Sequence, residues 1–177
     1  MSLSDAHSSS TLPLEALVGQ PQDAMPDVMA HLAAAEVESA QRFAALMPRV
    51  VRKALADADP AAVEQAIADG GFVLNDSTVV MRHNTENDQI EFFCDVGLPE
   101  PHALEASYRI ALEINLCRTY PGITLGVHPE SSRLVATTSI HSLLVGDDEV
   151  CLNVLELLTR QVGLLRDSQA IPLQVEV

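Results

Sequence analysis

Residues 102–117, HALEASYRIALEINLC, constrain the fold more than any other stretch, because they read as a helix that is apolar on two sides. Glu105, Arg109 and Glu113 recur every four residues and form one narrow charged line, in which opposite charges lie one turn apart. One apolar stripe consists of Ala103, Ala106, Ile110, Ile114 and Cys117, and the other of Leu104, Tyr108, Ala111, Leu112 and Leu116. So wide an apolar surface needs cover from more than one side. The second stripe can be covered within the monomer or by a second subunit.

Shorter segments with other periods surround this helix. Residues 60–69 follow Asp59, begin with Pro60 and stop at Gly70, which predicts a short helix. Residues 72–75, 77–84 and 89–96 read as three strands, and in the third the apolar residues alternate with polar ones and with Phe93. Residues 123–127 and 133–144 predict a hairpin, and acidic residues 147–149 begin a last helix. This order predicts an α+β fold with two layers and an antiparallel sheet.

The first 58 residues predict an extension that precedes this domain. Residues 1–27 combine three consecutive serines with three prolines, which is typical of a flexible arm. Residues 28–47 have a helical pattern that Pro48 should end or kink, and residues 49–56 continue as helix. We therefore expect an arm over 1–27, a helical extension over 28–58, the α+β domain over 59–168 and a tail over 169–177. That tail could be loose or could add an edge strand.

Charge and hydropathy exclude several classes of partner. The net charge of −15 opposes binding to nucleic acids and to anionic membrane surfaces. The first ten residues lack the basic start and apolar core of a signal peptide, and no later run approaches the roughly 18 to 20 apolar residues of a membrane span. We expect a soluble, cytoplasmic protein.

One basic cluster stands out on this acidic chain. Four of the ten basic residues, Arg42, Arg49, Arg52 and Lys53, lie close together with no acidic residue between them. Basic side chains are favoured at the carboxyl end of a helix, which is one explanation. The other is a docking patch for an acidic partner or for the acidic body of the chain itself.

No arrangement of residues predicts catalysis, a cofactor or a metal. The six histidines are scattered, and the three cysteines lie far apart within apolar patterns, as expected of buried thiols in a reducing compartment. The glycine-rich patterns that bind phosphates are absent from the sequence. A small enzyme would have to use Cys94 with His83 or His141, but Cys94 shares the apolar side of its strand, which disfavours a reactive thiolate.

Four motifs follow one another over residues 71–166. They are FFCDVGLPEP, then ALEINL, then GITLGVHPESSRLVATTSIHSLL, and finally a leucine-rich helix with an acidic start. In this order and spacing they resemble the class I chaperones of bacterial type III secretion, the Tir chaperone or CesT-like family. The small size and low pI are also typical of that family.

The resemblance implies a non-enzymatic homodimer that binds the amino-terminal region of effector proteins in extended form and keeps them competent for export. On this chain the residues implied for effector binding are Phe72, Leu74, Val79, Met81 and Phe93, and those implied for the dimer interface are Leu104, Tyr108, Leu112 and Asn115. The long amino-terminal extension and the short helix at residues 60–69 depart from the family pattern. An alternative is a regulatory protein of the same fold that controls a secretion partner, such as the secretion ATPase, or some other partner.

Overall fold

The structure, a computed structural model, describes residues 25–174, and the side chains of residues 28–174. Its helices are α1 (Met25–Ala54), α2 (Pro60–Asp69), α3 (Leu104–Cys117) and α4 (Asp148–Asp167), with single 3₁₀ turns at Pro101–Ala103 and Ser142–Leu144. Its strands are β1 (Gly71–Leu74), β2 (Ser77–Asn84), β3 (Gln89–Gly97), β4 (Thr124–Val127) and β5 (Leu134–His141). Residues from Glu36 onward form one compact unit. The described residues before it are the beginning of α1.

The five strands form one sheet in the order β1-β2-β3-β5-β4, and all neighbours are antiparallel. This arrangement confirms the predicted fold class and the predicted order of strands and helices. Asn75 and Asp76 both have positive φ, 49° and 58°, as in the two-residue turns that match the twist of a hairpin. That turn fixes the register in which Leu74 pairs with Ser77.

One face of the sheet, which we call the inner face, carries the core. Apolar side chains alternate along the strands, so that those of Val79, Phe92 and Ala136 point to the same side and are buried. Helix α4 packs across β2, β3 and β5 on this side. Its buried stripe consists of Cys151, Leu155, Leu158, Thr159, Val162 and Leu165.

Helix α1 contributes its carboxyl-terminal half to the same core. Proline lacks the N–H that would bond to the preceding turn, so we expected Pro48 to end or kink the helix. It does not end it, since α1 continues to Ala54. Val50 and Val51 are fully buried and Leu46 nearly so. Burial on both sides of Pro48 offsets the missing hydrogen bond.

The two ends of the chain are described only in part. Of the arm expected over residues 1–27, residues 25–27 open α1 and the others lie outside the described residues, as do residues 175–177 of the tail. Leu173 forms an isolated antiparallel bridge with Pro99, and the backbone N–H of Gln174 donates to the Leu98 carbonyl at 2.8 Å. Among residues 25–174, none of the helices has both the length and the apolar character that crossing a membrane requires.

Candidate functional site

One edge of the sheet, at β4, is capped at Leu125 by a side chain from α3. The Asn115 amide nitrogen donates to the carbonyl of Leu125 at 2.8 Å, and the Asn115 amide oxygen accepts from the N–H of Leu125 at 2.8 Å. These are the two backbone groups of Leu125 that an added strand would use. Both polar groups of Asn115 bond within the chain, so this side chain acts as an edge cap, and its expected place in a dimer interface stays a prediction.

The opposite edge of the sheet, at β1, has no strand partner within the described residues. The N–H of Met81 donates to the carbonyl of Gly70. Hydrogen-bonded pairs occur at every second residue of an antiparallel ladder. In this register Phe72 and Leu74 therefore also bond to β2. The N–H and C=O of Val73 therefore point away from β2. Within residues 25–174 no strand pairs with this edge, and the Val73 side chain is 61% exposed. A further strand can add at β1.

The face of the sheet opposite the core, which we call the outer face, contains a groove of about 670 Å³. Its lining residues are Thr78, Val80, Arg82, Phe93, Asp95, Gly126, Val127, His128, Pro129, Ser131, Arg133, Val135 and Thr137, all from strands or from the β4–β5 loop. Val80, Phe93 and Thr137 stand opposite one another on neighbouring strands. They form the floor of the groove, which is apolar at Val80 and Phe93, and no helix in the described part of the chain contributes to its lining.

Two ion pairs border this floor. The Nε and Nη2 atoms of Arg82 donate to one oxygen of Glu91 at 3.1 and 2.6 Å, and the guanidinium lies 5.2 Å from the centre of the Phe93 ring. On the other side of the floor, Nε of Arg133 donates to Asp95 at 2.8 Å. In both pairs the arginine is the more exposed partner. The side chain of Arg82 is 64% exposed and that of Glu91 15%, while Arg133 is 30% exposed and Asp95 19%.

Helix α3 lies beside β4 with much of its apolar surface uncovered. Ser107 and Ala111 are its buried residues, whereas Leu112 and Leu116 are 67% and 84% exposed. Leu104 is also exposed, and the half-buried Tyr108 donates from its hydroxyl to the carbonyl of Ser132 at 3.3 Å. Of the stripe expected to need a second cover, the three leucines therefore remain exposed within residues 25–174, whereas Ala111 is buried.

The basic cluster of α1 bonds to acidic groups of its own chain. Arg49 lies 2.9 Å from one oxygen of Asp148, and Lys53 lies 3.3 Å from the other and 3.1 Å from Glu149. Arg52 pairs with Glu64 at 3.0 Å, and Arg42 pairs with Glu38 at 3.0 Å. The hydrogen bonds from Arg49 and then Lys53 lower the pKa of Asp148. Arg49 and Lys53 thus contact acidic residues at the start of α4, as expected of docking to the acidic body of the chain itself, and docking of another protein stays a prediction.

A polar network around Asp88 attaches α1 to the sheet. The Asp88 carboxylate accepts from the hydroxyl of Ser142 at 2.7 Å, from the hydroxyl of Ser39, and from Nε2 of His83 at 3.1 Å. Partial burial alone would raise the pKa of Asp88, but these hydrogen bonds outweigh it and hold the pKa well below its usual range. The His83 ring stacks on Phe43 of α1 at 5.6 Å.

This network is not a nucleophilic triad. In a triad, serine and aspartate bond to different nitrogens of the histidine ring. Here Ser39 and Asp88 both approach Nε2 of His83, at 2.8 and 3.1 Å. The arrangement positions α1 and does not activate the hydroxyl.

The cysteines offer no reactive thiolate in the core. Burial raises the pKa of Cys94 and of Cys151 to about 11, so both thiols stay protonated at neutral pH, while Cys117 is exposed. The proposed Cys94 nucleophile therefore lacks its reactive form. Among residues 25–174 there is no group of three or more His, Cys, Asp or Glu side chains that could hold a metal ion.

Two of the solved structures that this chain resembles are chains of secretion-related complexes, and both likenesses are distant. A chain of the ExsC-ExsE complex has a TM-score of 0.47 and 14% identity, with 69% of this chain and 94% of that chain covered. A chain of the HopA1-SchA chaperone-effector complex has a TM-score of 0.43 and 12% identity, with 55% of this chain and 73% of that chain covered. At scores this low, neither likeness decides what the chain does. Neither the family models nor the curated proteins give a match.

The structure separates the five residues implied for effector binding. Phe72, Val79 and Met81 are buried on the inner face, at 6%, 0% and 4% exposure, so they cannot contact a client in the folded monomer. Leu74 is half-buried on that inner face, and Phe93 is half-buried on the outer face. We correct the assignment for the three buried residues.

Two exposed residues were missed by the sequence reasoning. Val73 and Val80 are 61% and 40% exposed on the outer face. Both faces of β1 and β2 carry apolar residues, so alternation alone could not show which face the helices cover. The signal was nonetheless present, because Val73 and Val80 are out of phase with the buried set.

Proposed function

We propose that this chain is a cytoplasmic chaperone of type III secretion. It binds the amino-terminal region of one or more effectors in extended form, keeps them competent for export, and has no enzymatic activity. The ordered motifs over residues 71–166 support this proposal. The observation that carries it is the difference between the two sheet edges: within residues 25–174 no strand pairs with β1 on its outer side, whereas Asn115 caps β4 at Leu125.

An open edge selects an extended partner. A client segment at β1 can bond to the N–H and C=O of Val73 and continue the antiparallel ladder. Its side chains then alternate between the two faces of the sheet. On the outer face they meet Val73 and Val80, and on the inner face they lie next to Leu74. A client held in this way cannot use the same segment to form its own fold.

The chaperone acts as a homodimer in this proposal. The exposed leucines of α3, Leu104, Leu112 and Leu116, supply an apolar surface that a second copy can cover. The net charge of −15 keeps the assembly soluble and favours clients that are not acidic.

The test compares Val73→Pro with Val73→Ala. Proline removes the N–H that points to the open edge but leaves the bonds to β2 in place, whereas alanine keeps the N–H. A pull-down from the source organism identifies the bound proteins, and their first hundred or so residues are then co-expressed with each variant. We expect Val73→Pro to weaken capture by about tenfold or more and Val73→Ala to change it by less than about threefold.

Thermal unfolding of both variants verifies that the fold is intact. Equal capture by Val73→Pro and the wild type would refute the edge as the client site. Recovery of only a folded regulator or of an ATPase would instead favour a regulatory role over escort.

A further inference from the structure

We propose that the groove on the outer face of the sheet is a site for a small amphipathic carboxylate, of the class of a free medium-chain fatty acid. The apolar tail of the ligand lies on the floor of the groove, and its carboxylate bonds to Arg82 beside that floor. This inference goes beyond the proposed function and does not depend on it, because the purified chain can bind a small molecule without a client.

The groove has the size and the fixed border of a small-molecule site. Its volume of about 670 Å³ lies within the range of about 300 to 1,000 Å³ that is typical of ligand pockets. The strands supply the floor, and the loop between β4 and β5 borders it. Hydrogen bonds within that loop hold it in place. The N–H of His128 donates to the carbonyl of Arg133 at 2.8 Å, and the N–H of Ser132 donates to the carbonyl of His128 at 2.9 Å.

The floor suits a hydrocarbon tail. Val80 and Phe93 stand opposite each other on neighbouring strands, and Val135 and Val127 extend the apolar lining toward β4. Strands β2, β3 and β5 each have a neighbour on both sides, so the ladder uses their N–H and C=O groups. The floor therefore offers few hydrogen bonds to a ligand. A tail without polar groups loses none when it leaves water for this surface.

The charges of the lining favour an anion. Two arginines, Arg82 and Arg133, line the groove together with one acidic residue, Asp95, which leaves one positive charge. The whole chain carries a net charge of −15. Asp95 is 19% exposed and accepts from Nε of Arg133 at 2.8 Å, so its charge is already paired. The groove is thus a place where this acidic chain can attract a negative group.

Arg82 is the residue that can bind the carboxylate. Its Nε and Nη2 atoms use two of the five N–H donors of the guanidinium on Glu91. Its side chain is 64% exposed, whereas Glu91 is 15% exposed and is not among the lining residues. The guanidinium lies 5.2 Å from the centre of the Phe93 ring, so its remaining donors lie next to the floor. One ligand can therefore bond to Arg82 and cover Phe93.

The experiment uses the purified full-length chain and three probes with the same hydrocarbon tail: decanoate, decanol and decylammonium. Isothermal titration calorimetry, at concentrations below those at which the probes form micelles, measures the affinity for each. We expect decanoate to bind about tenfold more tightly than decanol and still more tightly than decylammonium. Nonspecific binding to an acidic chain would give the opposite order of the two charged probes. That order, equal affinities, or no binding of decanoate would overturn the proposal.

Variants of the groove test the floor and the cation separately. Phe93→Ala should weaken decanoate binding by about tenfold, and Val80→Glu, at a more exposed position, gives a second readout if Phe93→Ala unfolds. Arg82→Gln should abolish the preference for decanoate over decanol. Arg109→Gln is the matched control, since it removes the same charge from a side chain that is 73% exposed on α3, and it should keep the preference. Equal effects of the two arginine variants, or no effect of both floor variants, would overturn the proposal.

Two further readouts separate this proposal from the proposed function and from self-association. Val73→Pro should leave decanoate binding unchanged, because it alters the edge and not the outer face. A loss of decanoate binding in Val73→Pro would place the probe at the edge, against the proposal. If Phe93→Glu halves the mass in light scattering, a second copy covers the outer face, which also overturns it. A chain that binds decanoate but captures no client would refute the proposed function and support this site.

Discussion

The carboxamide of Asn115 forms two hydrogen bonds of 2.8 Å with the backbone of Leu125, one to its N–H and one to its carbonyl. A helix side chain thereby supplies the pair of bonds that a neighbouring strand would supply. Because Leu125 lies on an edge strand, these bonds also remove a template for pairing with other chains.

Replacing Asn115 by alanine should both destabilise the chain and open the β4 edge. Two partly buried backbone groups lose their partners, so we expect the free energy of unfolding to fall by about 1 to 3 kcal/mol, measured by urea denaturation. Asn115→Asp keeps the acceptor for the N–H of Leu125 and should lose less than Asn115→Ala. A fall below about 0.5 kcal/mol in Asn115→Ala would contradict the role of Asn115 as an edge cap.

Acid should weaken the attachment of α1 through Asp88. The pKa of Asp88 is lower in the folded chain than the ordinary aspartate pKa of about 4. Its ionised form therefore stabilises the fold at any pH above that ordinary pKa. This stabilisation by Asp88 is lost as the pH falls from its ordinary pKa toward its lowered pKa. We therefore expect the wild type to lose free energy of unfolding below about pH 5 more steeply than Asp88→Asn. Parallel curves for the two proteins would show that Asp88 does not supply this dependence.

The three cysteines should differ in reactivity toward a disulfide reagent. Cys117 is exposed, whereas burial protects Cys94 and Cys151 and raises the pKa of each to about 11. We expect one fast thiol in the native chain and three after denaturation in urea, counted by absorbance. In Cys117→Ser the fast phase should disappear. A fast phase that persists in this variant would place Cys94 or Cys151 in reach of solvent.

A charge on the exposed side of α3 should prevent the proposed dimer. We expect the wild type to have the mass of a dimer in light scattering at low micromolar concentration and Leu112→Glu to have that of a monomer. Leu164→Glu is the matched control, since Leu164 is 53% exposed on α4 and lies outside the proposed interface. A wild-type monomer, or a Leu112→Glu dimer, would exclude this surface as the interface.

The sequence predicted the fold well because the fold is encoded in local periods. The two-residue alternation over residues 89–96 and the helical period over residues 102–117 each depend on neighbouring residues alone. At Pro48 the local rule allowed either an end or a kink, and the end does not occur, because Val50 and Val51 are buried, which only the tertiary structure shows.

The site was harder to predict because it depends on which surfaces remain uncovered. Alternation placed Phe93 on the polar face of its strand, and the structure places it on the outer face. The alternation pattern could not show that α4 covers the side of β2 that carries Val79 and Met81. The pairing of Arg49 with Asp148 joins residues 99 positions apart, and no local pattern encodes such a contact.

The unequal edges of the sheet also determine how far it can grow. A sheet with two open edges can add copies at both sides without limit, as fibrils do. With β4 capped at Leu125, strands can add to this sheet only from the side of β1. In the proposed chaperone, a client segment in strand form therefore reaches the sheet of each subunit from one side, and the side of β4 does not offer Leu125 as a second template.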